Sequence, residues 1–193
     1  MTGEELTVED TALRFSTLDV VFMGEEHDND VGHAMQLELL VALHEHRPDL
    51  ILSMEMFERD VQDILDAYLA GAVSEEKFLE TSRPWGNYGP HYRPLVEYAR
   101  DNDLAVLAAN IPRPLAREVS KEGPEAIAGE EFAARFSTAP AGLYHDLFWD
   151  IMNPSGGEPD DELLQRFFAA QCYKDDTMAE SIADGLSQAW GQR

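Results

Sequence analysis

The sequence holds a single cysteine, Cys172, in 193 residues. That excludes an internal disulfide, a cysteine-built zinc site and a redox pair. Lysine is nearly as scarce, with only Lys77, Lys121 and Lys174. Basic residues number 14 against 38 acidic ones, a formal net charge of −24. Such a surface repels phosphate backbones and anionic lipid, which excludes nucleic acid and charged membrane surfaces as main partners. No apolar run approaches the roughly 20 residues of a membrane-spanning helix, so no membrane insertion is expected. Residues Met1–Thr7 carry acid where an export signal has a basic region and an apolar core. A soluble, cytoplasmic chain is expected. The excess of acid points to adaptation to high salt, where screening relieves self-repulsion.

What remains is ordinary for a folded chain: 44% of residues are apolar, enough for the core of one domain spanning residues 1–193. The pivotal stretch is Val20–His27, in which four apolar residues run into Gly24, Glu25, Glu26 and His27. A short apolar run reads as a strand buried on both faces, here about Leu18–Met23, and Gly24 offers a permissive backbone for leaving it. Asp28, Asn29 and Asp30 then supply caps for a helix to about His46, with Met35, Leu39, Ala42 and Leu43 facing inward. A second strand, Leu50–Met54, ends on Glu55, and a helix from Glu58 to Ala70 closes at Gly71. A capped helix starts at Ser74, a ring-rich loop spans 83–93, and a helix covers Arg93–Asp101. The third strand, Leu104–Ala108, leads to Asn110, Pro112 and Arg113. Residues 123–160 suggest short helices and loops, followed by two helices, Asp160–Gln171 and Asp175–Trp190.

This alternation predicts an α/β fold: a mostly parallel central sheet flanked by helices, with a more helical C-terminal half. Parallel strands place their carboxyl ends on one edge, where ligands bind in such folds. Gly24, Glu25, His27, Glu55, Asn110 and Arg113 are therefore the expected rim. Glu25, His27 and Glu55 offer two oxygens and a nitrogen for a divalent metal. Capping and turn-forming are the structural roles to weigh against these. The loop residues Trp85, Tyr88, His91 and Tyr92 either cover the core or form a site for a flat ligand. Tyrosinate and imidazole both bind haem iron, so the loop has chemistry suited to haem. Arg83, Arg93 and Arg113 could meet propionates.

Taken together, Gly24–Asn29, Met54–Gln62, Leu65–Gly71, Tyr92–Leu95, Ala109–Arg113, Ala170-Gln171 and Asp176–Ala179 resemble the ChaN-type haem-binding uptake family of the Tiki-like superfamily. The resemblance covers about residues 18–182 in consistent order. It implies an α/β fold and a non-enzymatic haem- or iron-binding protein associated with iron acquisition. A tyrosine axial ligand is the family-like arrangement, which makes Tyr92 or Tyr88 the candidates, with His91 and Arg93 beside them. Other superfamily branches are metal-dependent hydrolases that use a Gly-x-x-His motif and a strand-end Glu. Those positions map here to Gly24–His27 and Glu55, which leaves enzymatic activity open. A non-catalytic interaction protein is the third reading, and a homodimer is allowed. Relatives end in a further C-terminal strand, none is expected after Trp190, and many relatives are exported.

Overall fold

The computed structural model describes residues 5–153 and 161–191. The chain divides into two compact units, Met1–Leu52 with Ile64–Val106, and Ser53–Asp63 with Leu107–Arg193. Among the described residues are eight α-helices and two strands, and the strands pair in parallel. The α/β class expected from the sequence is thus present, with far more helix than sheet.

In the first unit, α1 (Val8–Phe15) packs on α2 (Asp30–His46) through Ala12, Leu39, Ala42 and Leu43, flanked by Val8, Phe15 and Leu50. The Asn29 side chain caps α2 by accepting from Gly32 N at 2.9 Å. Met35, expected inward, is 46% exposed instead. The buried stripe of α2 runs through His33, Leu40 and Leu43, and Met35 falls on the opposite side with Val31 and Ala34. Helix α3 (Gln62–Leu69) ends at Gly71, whose φ of 69° takes the left-handed conformation that closes a helix. Helix α4 (Glu75–Ser82) starts on the Ser74 cap, as its sequence predicts. Phe78 from α4 stacks on Tyr68 from α3 at 4.5 Å between ring centroids. A wide turn over Tyr88–Tyr92 buries both tyrosines and leads into α5 (Arg93–Asp101).

The expected strand Leu18–Met23 does not form. Residues 20–26 have no regular structure, and Phe22 is 80% exposed. β-Branched and apolar composition makes a strand only where a neighbour takes up its N–H and C=O groups. Among the described residues the sheet consists of β1 (Ile51–Glu58) and β2 (Ala105–Asn110) alone. Gly24 has no need of glycine's freedom either: its φ lies outside the left-handed region and an added Cβ would meet nothing within 4 Å.

The second unit is built on α6 (Arg113–Glu122), α7 (Leu143–Met152) and α8 (Asp161–Gly191). Its core joins Ile111, Ala116, Val119, Ile127, Ala133 and Ala170. The two C-terminal helices expected from the sequence are one continuous helix, since residues 172–175, Cys-Tyr-Lys-Asp, contain neither Gly nor Pro to break it. The expected start at Asp160 and the side chain of Trp190 lie outside the described residues. Arg59 anchors α8: it donates through Nε to Ser181 Oγ (2.7 Å), through Nη1 to Glu180 Oε1 (2.9 Å) and through Nη2 to Thr177 O (2.9 Å). No described helix is long and apolar enough to cross a membrane.

Candidate functional site

The chemistry-bearing cluster of the first unit is centred on Glu25. The irregular segment before α2 carries Glu25 and His27, the first turns of α2 carry Asp30, His33 and Gln36, and the turn before α5 carries Asn87, His91 and Tyr92. Glu25 Oε1 accepts from the Tyr92 hydroxyl at 2.6 Å and lies 2.8 Å from His27 Nδ1. Its Oε2 accepts from Gln36 Nε2 at 2.6 Å and lies 3.7 Å from His33 Nδ1. Burial pushes the Glu25 carboxyl up, but the hydrogen bonds from Tyr92, Gln36 and His27 outweigh it and hold it below the usual range.

These partners constrain where the protons sit. An ionised carboxylate only accepts, so His27 donates through Nδ1, which in the uncharged tautomer puts the ring's lone pair on Nε2. That ring is 56% exposed, against 10% for Glu25. Among the described residues nothing hydrogen-bonds His27 Nε2, while Trp85 meets the ring edge-on at 4.8 Å. Gln36 gives its amide hydrogens to Glu25, which turns its carbonyl oxygen to His33 Nδ1 at 2.9 Å. His33 is buried and stacks on His91 at 4.3 Å. His91 Nδ1 accepts from the Asn87 amide at 3.1 Å, so its Nε2 donates to Asp30 Oδ1 at 2.9 Å.

The loop residues singled out in the sequence turn inward. Tyr92 is fully buried and spends its hydroxyl proton on Glu25. Tyr88 is 4% exposed, and burial pushes its phenol above the ordinary tyrosine range, disfavouring the tyrosinate that binds ferric iron. His91 is engaged at both ring nitrogens. Arg93 grips Glu75 through both Nε and Nη2. Surface of another kind surrounds His27 in sequence: Phe22 (80% exposed), Met23, Val31 (76%) and Met35 are open apolar side chains of the same unit. Sequence reasoning named His27 but passed over Gln36 and the exposed apolar residues. The spacing of Val31, Ala34 and Met35 on α2 was the available signal for the latter.

Glu55, Asn110 and Arg113 belong to the second unit. The strand-end argument that grouped Glu25 and His27 with them falls with the missing strand. Glu55 lies inside β1, which runs on because Met56 and Phe57 remain buried, so the terminal carboxylate is Glu58. Glu58 pairs with Arg113 Nε at 3.0 Å. Asn110 serves the backbone, donating to Glu55 O at 3.1 Å and accepting from Ile111 N at 2.8 Å. No three His, Cys, Asp or Glu side chains among the described residues are grouped to hold a metal ion.

Comparison with known proteins adds three findings. Over 130 residues the chain is 27% identical to Protein RETICULATA-RELATED 5, chloroplastic, of Arabidopsis thaliana, a match of 64% of this chain and 17% of that protein. The chain thus spans less than a fifth of that curated relative. A solved structure, described as cofacial heme binding to ChaN of Campylobacter jejuni, matches with a TM-score of 0.69 over 94% of this chain and 72% of that one. At 18% identity this establishes the shared fold. The family model for haem-binding uptake proteins, ChaN, of the Tiki superfamily matches residues 12–192, and the chain belongs to that family.

Proposed function

We propose that this protein binds haem on its first unit, with His27 Nε2 as the iron ligand, and handles haem or its iron in iron acquisition. One observation carries the reading: an exposed imidazole whose Nδ1 is held by a carboxylate at 2.8 Å and whose Nε2 is left to an outside partner. Histidines that bind metals almost always donate their other nitrogen in this way, which fixes the tautomer and aims the lone pair. The exposed Phe22, Met23, Val31 and Met35 offer a porphyrin the apolar contact it needs. A relative of this fold binds heme cofacially, which supports the same class of ligand here.

The runner-up, a metal-dependent hydrolase built on Glu25, His27 and Glu55, asks more of the side chains. A bare divalent ion takes three or four protein donors, whereas haem brings four nitrogens of its own and needs one. The His27 arrangement therefore suits haem better than a naked ion.

Titration with ferric haem, followed by visible absorption, tests the proposal. A saturable spectrum of nitrogen-ligated ferric haem is expected, lost in His27→Ala and kept in Tyr88→Phe. No saturable change would refute haem binding. A spectrum that survives His27→Ala but disappears in Tyr92→Phe would assign the ligand to the tyrosine instead.

A further inference from the structure

We propose that the outward face of α7 is a docking surface for a basic amphipathic helix of another protein. At 3.6 residues per turn, Leu143, Leu147 and Ile151 form one stripe along the helix, and they are 75%, 50% and 74% exposed. The opposite side is already used: His145, Phe148 and Trp149 close on Phe168 of α8, with ring centroids 5.2, 5.3 and 5.9 Å away. The fold therefore draws on one side of this helix only. A surface helix with no partner beyond its own core carries polar residues on its outer face, and a contiguous row of large aliphatic side chains there marks an interaction site.

Charge selects the occupant. Asp146 and Asp150 lie one turn apart along the flank of the stripe, and both are exposed. Asp146 meets His145 Nδ1 at 3.2 Å. Between Arg135 and Arg166 the chain has no lysine or arginine. Those two arginines are taken by the protein's own carboxylates, Arg135 by Glu180 and Asp184, Arg166 by Glu162. The stripe is thus an apolar seam with carboxylates along one flank and no lysine or arginine of its own to answer them. Helices use that pattern to choose a partner of opposite charge. A second copy of the chain brings the same carboxylates and the same net charge of −24, and anionic lipid has the same sign, so both are repelled. A helix with aliphatic residues on one face and lysine or arginine beside them matches the seam and its flank together. The stripe spans about 12 Å, the length of two to three turns of such a helix.

The experiment uses the whole protein and a designed peptide of about 14 residues, long enough to become helical on contact, with leucine on one face and lysine on the other. Two control peptides keep the length: one replaces lysine by glutamate, and one scrambles leucine and lysine so that no apolar face forms. Isothermal titration at about 0.15 M salt, where distant surface charges are screened, should show saturable one-to-one binding of the first peptide only. Leu147→Gln/Ile151→Gln should weaken it roughly tenfold or more, because these side chains form the centre of the seam while glutamine suits a helix. Asp146→Lys/Asp150→Lys alters exposed charge alone, and should weaken the lysine peptide several-fold while admitting the glutamate peptide. That variant decides if the glutamine pair does not fold. Equal binding of the scrambled peptide, or binding unchanged in both variants, would reveal plain adsorption to an acidic surface and overturn the proposal. So would equal binding of the glutamate peptide to the parent, or no binding of the lysine peptide. Concentration-dependent dimerisation in sedimentation, abolished by Leu147→Gln/Ile151→Gln, would give the face to a second copy and overturn it as well.

Discussion

Phe22 offers the sharpest separation of binding from folding. The ring is 80% exposed, so the fold gains little from it. If haem seats against His27 and covers this side chain, Phe22→Ala removes up to about 100 Å² of apolar contact, judging from the 150–250 Å² that a buried aromatic covers. At about 25 cal/mol per Å², that is at most about 2.5 kcal/mol, or about 1 kcal/mol if only one face of the ring is covered. The expected loss of haem affinity is then roughly 5- to 60-fold. Folding stability should change by less than about 0.5 kcal/mol, the ordinary scale for surface substitutions. The assay is competition for ferric haem with an apo-globin, run beside urea unfolding of the unloaded variant. Affinity within twofold of the parent would show that the ligand does not cover Phe22. A stability loss above about 1 kcal/mol would refute the premise that the ring is idle in the fold.

Other parts of the molecule make equally definite predictions. Arg59→Met should destabilise α8 by roughly 2–3 kcal/mol, since it removes three hydrogen bonds while Arg135, 2.9 Å from Glu180 Oε2, stays to pair the carboxylate. Urea unfolding followed by helical circular dichroism measures it, and a change under about 0.5 kcal/mol would contradict the anchoring role. The same pair predicts an acid limb. Burial pushes the Glu180 carboxyl up, but hydrogen bonds from Arg59 and the Arg135 backbone and both guanidinium charges hold it below its unfolded value. Its stabilisation is therefore full above the unfolded pKa, close to 4.5, and is lost as pH falls through the lower folded value. Arg59→Met should flatten that dependence. At a net charge of −24, added salt should raise the melting temperature by screening self-repulsion, and equal stability in dilute buffer and molar salt would refute adaptation to salt.

The helices were legible because their ends are written in local chemistry. Asn29, Ser74 and Gly71 each do what their residue type favours, and the sequence places the helix boundaries beside them. The segment Leu18–Met23 was misread for the complementary reason. Its β-forming residues are a local property, whereas a strand requires a partner supplied by distant sequence. The site divides in the same way. Glu25, His27 and Tyr92 could be named from the sequence, but that they share one carboxylate oxygen could not, because 67 residues separate Glu25 from Tyr92. Gln36 was invisible for lack of any motif. Its role exists only because α2 turns it toward Glu25. Glu58 was hidden behind Glu55 because the end of a strand is set by where burial stops, and Met56 and Phe57 carry β1 onward.

Two residues of the proposed haem site have the chemistry to hold ferric iron, and the cost of reaching it differs between them. Tyr92 would have to lose its proton, give up a charge-assisted hydrogen bond to Glu25 and bring a fully buried ring to the surface. The hydrogen bond is worth about 1.5–3 kcal/mol and burial of the ring about as much again, so the rearrangement costs roughly 3–6 kcal/mol before any bond to iron forms. It would also strip Glu25 of a donor that helps keep it ionised. His27 needs none of this: its ring is exposed, its tautomer is set and its Nε2 faces no competing donor among the described residues. By itself, a rearrangement cost of 3–6 kcal/mol weakens binding by a factor of about a hundred or more. On that scale, reaching an outside ligand costs Tyr92 a rearrangement that the His27 site proposed above avoids.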